Sequence, residues 1–255
     1  MSSLISFDLK GQTALITGAT SGFGVRFANV LSDAGAKVVI AGRRVERLNE
    51  LKSRIDAKGG NATALELDVM NVARLREAID AAEKAAGPIG ILVNNAGVNV
   101  MSSATALSEA DYDRIMDTNV KGAFFLAQFV GSRMVERKIQ GRIVNIASIG
   151  AFKALPGLTA YSMSKAAIAM MTKGLAREWA RYHVAVNAIC PGYVKTELTQ
   201  DWFDSEGGQK QIMGLPRRRL GEEESLDSVL LLLCSQHARF ITGSLFTIDD
   251  GQLLA

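Results

Sequence analysis

The chain has 255 residues, of which 48% are apolar and 22% are charged. Its 29 basic and 26 acidic residues are intermixed and give a formal net charge of +3, so neither a nucleic-acid surface nor a membrane surface is expected. The start of the chain carries Asp8 and has no apolar core of secretory length, and a soluble cytoplasmic protein is expected.

The cysteines and histidines give no indication of a metal site. Cys190 and Cys234 lack metal-like spacing and are interpreted as reduced core thiols. His183 and His237 are far apart in sequence, and neither belongs to a ligand motif. No metal is therefore predicted.

Short β-rich apolar runs alternate with amphipathic runs along much of the chain. Strands are predicted at residues 13–17, 37–42, 62–67, 89–93, 141–147 and 184–189. Helices are predicted at residues 25–34, 45–58, 72–86 and 108–137, with a further helix from Tyr161 onward. This alternation with short connections predicts right-handed crossovers and a parallel sheet with helices on both faces. We therefore predict a single doubly wound α/β domain over residues 1–255.

A glycine-rich turn, Gly18-Ala19-Thr20-Ser21-Gly22-Phe23-Gly24, joins the first strand to the first helix. Glycines allow backbone amides at a helix N-terminus to approach a pyrophosphate without obstruction by a Cβ atom. The spacing is G-x-x-x-G-x-G rather than G-x-G-x-x-G, but the position between strand and helix indicates a dinucleotide site.

The second strand ends at Gly42-Arg43-Arg44. In dinucleotide-binding folds, the residues at this strand end face the adenosine ribose of the cofactor. An acid at this place binds the 2′-hydroxyl of NAD, whereas an arginine accommodates the 2′-phosphate of NADP. Because the strand end offers no carboxylate, NADP (NADPH) is predicted and NAD is less favoured. The alternative is that Arg43 only opens the next helix in water.

Polar residues also follow the later strands. Asp68 closes the third strand, where it either contacts an adenine edge or caps the following helix. Asn119 lies in the middle of a predicted helix that begins after Ser108, and asparagine there can also simply bend the helix. Ser148 lies at the carboxyl end of the fifth strand, the edge at which open α/β sheets bind ligands.

Tyr161 and Lys165 are spaced i, i+4, which places both side chains on one helical face. An ammonium beside a phenol favours the phenolate and makes proton transfer accessible near neutral pH. The same spacing also occurs on many solvated helix faces. The position of the pair, after Ser148 and beyond a dinucleotide fold, favours catalysis.

The order of these motifs, from the glycine-rich turn through Asn94-Asn95-Ala96-Gly97 and Ser148 to the 161–165 pair, resembles the short-chain dehydrogenase/reductase family. The 3-oxoacyl-[acyl-carrier-protein] reductase-like members are similar over nearly the whole chain. The resemblance implies a Rossmann-type fold in which Tyr161 is the acid/base and Lys165 lowers its pKa and binds the nicotinamide ribose. Ser148 then holds the substrate oxygen, and Asn119 keeps a water in a proton relay.

The resemblance also implies a cofactor site built from successive strand ends. Its residues are Gly18, Thr20, Ser21, Gly22, Phe23, Gly24, Arg43, Arg44, Asp68, Val69, Asn95, Ala96, Gly97, Tyr161, Lys165, Pro191, Gly192, Val194 and Thr196. One departure lies near the C-terminus, where Gln252 replaces the second glycine of an Asp-Gly-Gly turn and puts the conformation of the tail in doubt.

The sequence does not identify the substrate. A ketone or secondary alcohol is expected, with a 3-oxoacyl thioester as the leading example and a sugar or polyol, such as gluconate, as the alternative. A non-catalytic dinucleotide-sensing protein is the alternative from a different class. Residues 98–103, 149–158 and a lid at about 193–215 are expected to set specificity. Small residues on the Tyr161 helix, as in the family, predict a homotetramer or, failing that, a dimer.

Overall fold

The computed structural model describes residues 6–197 and 199–254, so the first five residues of the N-terminal segment, Leu198 of the predicted lid and Ala255 lie outside the described residues. Within the described residues the strands are β1 (Thr13–Thr17), β2 (Lys37–Gly42), β3 (Asn61–Glu66), β4 (Ile91–Asn94), β5 (Arg142–Ile146), β6 (Ala185–Pro191) and β7 (Leu245–Ile248). They form one sheet in the order β3-β2-β1-β4-β5-β6-β7, and every neighbouring pair is parallel.

Helices cover both faces of this sheet. They are α1 (Gly22–Asp33), α2 (Val45–Ala57), α3 (Val72–Ala86), α4 (Glu109–Met116), α5 (Ala123–Glu136), α6 (Thr159–Trp179), α7 (Gln200–Asp204), α8 (Glu206–Met213) and α9 (Asp227–Cys234). No helix in the described part of the chain is long and apolar enough to cross a membrane.

Alternate residues of β1 enter different cores. Ile16 packs in the core that includes Phe27 of α1 and Leu230 of α9. Leu15 packs in the core on the opposite face, with Leu75 of α3 and the helix α5. Because successive side chains of a strand point to opposite faces, a buried apolar run such as β1 requires helices on both sides. The predicted doubly wound α/β fold is confirmed.

The predicted start of the first helix at Val25 is wrong by about one turn, because α1 begins within the glycine-rich turn at Gly22. Ser21 before it is extended, and Gly22 itself has a φ of +49°. A positive φ is accessible to glycine because it has no Cβ atom. The amide end of α1 therefore opens directly onto the carboxyl ends of the strands.

The helix predicted over residues 108–137 is interrupted. Ser108 caps its start as predicted, since Ser108 Oγ accepts a hydrogen bond of 3.1 Å from the Asp111 amide. Between α4 and α5, however, Asp117–Gly122 forms a π-helical turn that contains Asn119. Packing at Gly122 is tight here, because a Cβ atom at that position would lie 2.6 Å from the Val69 carbonyl oxygen. The π turn inserts an extra residue and points Asn119 away from the solvated helix face.

A buried polar chain fixes α6 on the sheet. Asn94 Nδ2 donates to Asn145 Oδ1 (3.0 Å), and Asn145 Nδ2 donates to Thr172 Oγ1 (2.9 Å). Asn94 Nδ2 also donates to the Ala123 carbonyl at 3.2 Å, which includes α5 in the chain. These hydrogen bonds join β4 and β5 to α5 and α6, and each is buried.

The chain of buried amides predicts a large loss of stability in Asn145→Ala. This substitution removes one hydrogen-bond partner each from Asn94 and Thr172 and opens a cavity, which together cost about 3 kcal/mol of unfolding free energy. Urea unfolding monitored by circular dichroism measures the change. Asn49→Ala on the exposed surface of α2 is the control, with an expected change within about 0.5 kcal/mol. Equal effects of the two substitutions would contradict the structural role of the chain.

Candidate active site

The glycine-rich turn is clamped to the end of β4. Asn95 Nδ2 donates to the Thr17 carbonyl at 2.9 Å, and Thr17 Oγ1 accepts from the amides of Asn95 (3.1 Å) and Ala96 (3.0 Å). A Cβ atom at Gly18 would lie 2.9 Å from Ala96 Cα, and one at Gly24 would lie 2.1 Å from the Gly18 carbonyl oxygen. Both glycines are therefore required by close packing, which leaves the turn's backbone facing the cavity.

The end of β2 carries two exposed arginines with different surroundings. Arg44 donates to Thr20 Oγ1 at 2.7 Å and to Ser21 Oγ at 2.8 Å, so its guanidinium lies on the glycine-rich turn. Arg43 makes no hydrogen bond or ion pair with the described residues, and it borders the cavity. Arg43 and Arg44 are both cations, and the end of β2 carries no carboxylate. The surface that they form is therefore suited to an anion.

A cavity of about 460 Å³ runs along the carboxyl ends of the strands. It brings together almost all of the predicted site residues. Those that line it are Gly18, Thr20, Ser21, Gly22, Phe23, Arg43, Arg44, Asp68, Val69, Asn95, Ala96, Gly97, Ser148, Tyr161, Lys165, Pro191, Gly192, Val194 and Thr196. Gly24 and Asn119 are the exceptions. Gly24 lies beneath the turn, and Asn119 lies behind Val98.

Ser148 and Tyr161 meet at one end of the cavity. Ser148 Oγ accepts from the Gly150 amide at 3.0 Å and is hydrogen-bonded to the Tyr161 phenol. Burial raises the pKa of Tyr161, and the Ser148 hydrogen bond offsets only part of that rise. The expected lowering of the tyrosine pKa by the neighbouring ammonium is thus not present in the isolated chain. The phenol is protonated at neutral pH.

Lys165 is directed past the tyrosine toward the sheet. Its Nζ donates to the Ile146 carbonyl at 2.9 Å and lies 5.5 Å from the centroid of the Tyr161 ring. The side chain is 6% exposed, and burial lowers its pKa to about 8. Desolvation disfavours the charged amine, so the ammonium is held close to its titration point.

Asn119 fixes the Val98 backbone and Ser164 beside the candidate active site through hydrogen bonds. Its Oδ1 accepts from the Val98 amide (2.8 Å), and its Nδ2 donates to the Val98 carbonyl and to Ser164 Oγ (3.0 Å each). Ser164 in turn donates to the Tyr161 carbonyl at 2.7 Å. Both Nδ2 hydrogens of Asn119 are donated within the protein. A water beside the Asn119 side chain can therefore only donate a hydrogen bond to it and cannot accept one from it. The side chain links the π turn to the backbone of the catalytic candidate Tyr161.

Gln252 resolves the doubt about the C-terminal turn. The positive φ angles there belong to Asp250 (+53°) and Gly251 (+82°), and Gln252 needs none. Its Oε1 accepts from the Tyr193 amide at 2.6 Å, and a Cβ atom at Gly192 would lie 2.5 Å from that oxygen. Gln252 therefore supports the segment that follows β6, a role that sequence reasoning missed.

The predicted lid lines the cavity with its first residues, and its later apolar side chains lie elsewhere. Phe203 is 2% exposed and packs edge-on against Tyr193, with ring centroids 5.6 Å apart. Trp202 is 39% exposed and Met213 is 59% exposed, and neither lines the cavity that the described residues form. The described residues of this segment that line the cavity are Tyr193, Val194, Thr196, Glu197 and Thr199.

Asn99 is a further functional candidate that the sequence did not single out. It lies within the predicted 98–103 specificity segment and lines the cavity, and its Oδ1 is buried without a hydrogen-bond partner among the described residues. Buried polar atoms are normally paired, so the unpaired Oδ1 of this cavity-lining residue is a candidate acceptor for a ligand that displaces the side chains around it. An asparagine in a loop carries no spacing signal that could have identified it.

Comparison with known proteins identifies close relatives. The short chain dehydrogenase family model matches residues 12–207. Gluconate 5-dehydrogenase of Gluconobacter oxydans is 36% identical over 246 residues, covering 96% of each chain. Oxidoreductase UcpA of Salmonella typhimurium is 37% identical over 254 residues, again covering 96% of each. The crystal structure of a gluconate 5-dehydrogenase from Burkholderia cenocepacia in complex with NADP and tartrate superposes with a TM-score of 0.93 at 35% identity, covering 98% of each chain.

The lowered pKa of Lys165, about 8, predicts a pH-dependent affinity for NADPH. The amine carries its charge below this pH and loses it above, and a charged donor to a ribose hydroxyl is stronger by about 1 kcal/mol, or roughly fivefold in affinity. We expect binding measured by nucleotide fluorescence to weaken with a midpoint near pH 8. Lys165→Met should bind weakly without that midpoint. A wild-type affinity that stays flat through pH 8 would contradict the prediction.

Proposed function

Because the chain belongs to the short-chain dehydrogenase family, we propose that it is an NADP(H)-dependent oxidoreductase for a secondary hydroxyl or ketone of a sugar acid of the gluconate type. The observation that carries the proposal is the meeting of Ser148, Tyr161 and Lys165 in the same cavity as the glycine-rich turn. Hydride transfer requires a held cofactor, a held carbonyl and one proton source, and this cavity offers a group for each.

Tyr161 is the proton donor and acceptor in this proposal. Since burial raises its pKa, the phenol is protonated at neutral pH and is ready to donate to a carbonyl oxygen during reduction. In the oxidative direction the phenol of Tyr161 first has to lose its proton, and the resulting phenolate then accepts the proton of the substrate hydroxyl. The Ser148 hydroxyl, anchored by the Gly150 amide at 3.0 Å, holds the same substrate oxygen against the phenol.

Lys165 and Asn119 support this proton transfer. The Lys165 ammonium has three donors, and Ile146 accepts one of them, at 2.9 Å. The others are available to ribose hydroxyls and to a proton relay. Asn119 keeps Val98 and Ser164 in place, and through Ser164 it positions the backbone of Tyr161.

The residues present fit a dinucleotide with a 2′-phosphate. Gly18 and Gly24 allow the close packing that leaves the backbone of the turn facing the cavity, and the amide end of α1 favours an anion. Arg43 and Arg44 at the end of β2 supply cations where a 2′-phosphate lies in dinucleotide folds. When bound, the nicotinamide supplies or accepts the hydride.

The sugar-acid substrate is favoured over the 3-oxoacyl thioester for two reasons. Asn99 Oδ1 is a buried acceptor without a partner, and a polyol offers hydroxyl donors beside its reacting carbon, whereas an acyl chain offers none. Gluconate 5-dehydrogenases are also among the relatives with high coverage. The thioester alternative has no comparable support from the geometry.

Apolar surface on two parts of the molecule supports the proposal of a homotetramer. On α6, Met163 and Met170 are 49% and 66% exposed and lie two turns apart on one face. Near the C-terminal edge, Phe240 and Leu254 are 91% and 89% exposed. Two separate apolar surfaces fit two different two-fold contacts, which a tetramer with dihedral symmetry requires.

Turnover by Tyr161→Phe tests the chemistry. The phenol supplies the proton, so its removal should lower kcat by roughly 1,000-fold, within the range of general acid–base catalysis. NADPH affinity should change little. Near-normal turnover would contradict the mechanism, and a wild-type protein that binds NADPH but turns over no substrate would support the binding-protein alternative.

A substrate panel tests the specificity. D-gluconate and other sugar acids should be oxidised with NADP, and their keto forms reduced with NADPH, while an acetoacetyl thioester should be a poor substrate. Asn99→Leu should raise KM for the sugar acid by about tenfold, the effect of losing one buried hydrogen bond, and leave NADPH affinity unchanged. A preference for the thioester would overturn the substrate assignment.

Sedimentation velocity tests the assembly. The wild-type protein should sediment as a species of four chains of 27.3 kDa. Met170→Glu places a charge in the apolar surface of α6 and should split the tetramer into dimers. Asn49→Glu adds the same charge to exposed α2 as a control and should leave the tetramer intact. A wild-type monomer at micromolar concentration would contradict the proposal.

A further inference from the structure

The carboxylate of Glu197, on the β6 side of the cleft, contacts Arg44 and Arg47. These arginines lie at the end of the cleft where the adenosine of the cofactor is proposed to bind. Glu197 follows β6 by a short segment, whereas Arg44 and Arg47 lie at the start of α2, after β2. In the sheet, β1, β4 and β5 separate these two strands. At about 4.8 Å per strand spacing, their ends are roughly 19 Å apart. The contact therefore bridges the mouth of the cavity.

The contacts of Glu197 are short and involve both carboxylate oxygens. Arg47 NH1 lies 2.8 Å from Oε1 and 2.9 Å from Oε2, and Arg44 NH1 lies 3.7 Å from Oε2. Ser21 also hydrogen-bonds the carboxylate, and together these groups lower the pKa of Glu197. The Glu197 side chain is 45% exposed, so water and salt screen the bridge only in part.

Glu197 thus occupies groups that a 2′-phosphate would use. Arg44 is bound to Thr20 and Ser21 and also faces the carboxylate. A phosphate dianion entering beside Arg43 must share Arg44 with a fixed negative charge or displace it. The neutral 2′-hydroxyl of NAD meets no such repulsion, so the energetic cost falls on NADP alone.

We propose that Glu197 is a specificity-determining residue that stands in for the 2′-phosphate at Arg44 and Arg47 and thereby limits the preference of the enzyme for NADP over NAD. This inference rests on the proposed NADP site and adds to it a residue from the opposite side of the cleft. The carboxylate acts on the cofactor's adenosine end and makes no contact with Tyr161 or Ser148, so its effect is on cofactor affinity.

Glu197→Gln tests the inference. The amide keeps the size of the side chain and removes the charge, so affinity for NADPH and for adenosine 2′,5′-bisphosphate should rise by about three- to tenfold in calorimetry at low salt, the scale of one partly screened charge pair. Affinity for NADH and for 5′-AMP should stay within about twofold. The gain should shrink as salt is added.

Glu50→Gln is the matched control. Glu50 is exposed on α2, the helix of Arg47, and forms no ion pair with the described residues. The same charge change there should leave the NADPH/NADH affinity ratio unaltered. An equal gain in Glu50→Gln would show a general charge effect and overturn the role of Glu197.

Arg43→Gln separates this inference from the proposed cofactor. Loss of this cation should weaken NADPH binding and spare NADH, and an unchanged ratio would overturn the NADP assignment itself. A changed ratio in Arg43→Gln with an unchanged ratio in Glu197→Gln would instead overturn the Glu197 inference alone.

Discussion

The burial of the Lys165 ammonium is the constraint on which the site depends. An amine at 6% exposure with its pKa lowered to about 8 is costly to keep, and a single carbonyl, that of Ile146, accepts from it among the described residues. A buried cation needs further acceptors. Lys165 lines the cavity, so hydroxyl oxygens of a ligand bound there would be further acceptors for the ammonium.

The scaffold that keeps Lys165 there is polar as well as apolar. Asn145 fixes α6 through Thr172, which lies about two turns from Lys165 on the same face of the helix, and Asn119 fixes its second turn through Ser164. The π turn is needed for the second contact, because it directs Asn119 inward from a helix whose regular continuation would have turned it elsewhere. The π turn between α4 and α5 thus contributes to holding α6 in place.

Most of the fold and most of the cavity could be predicted from the sequence because both depend on short-range patterns. β1, β2 and α3 have the predicted bounds, and the strand ends place the predicted cofactor residues along one edge. What could not be predicted depends on contacts between distant segments. Arg217 and Arg219 lie in an exposed basic run, and both pair with Asp250, a contact that no local pattern indicates. The hydrogen bond from Tyr193 to Gln252, and the direction of the Tyr161 pKa shift, likewise require the packed structure.

The polar atoms left without partners further connect stability with function. Among buried side-chain atoms of the described residues, the unpaired ones are Asn99 Oδ1, Ser162 Oγ and Gln252 Nε2. All three belong to the surroundings of the cavity, since Asn99 lines it, Ser162 follows Tyr161, and Gln252 supports Tyr193. Each unpaired group costs about 1–3 kcal/mol in the free protein. A substrate that pairs Asn99 recovers that free energy on binding, whereas an apolar substrate of equal size does not. In the proposed function, Asn99 would therefore favour a polyol over an acyl chain at the binding step.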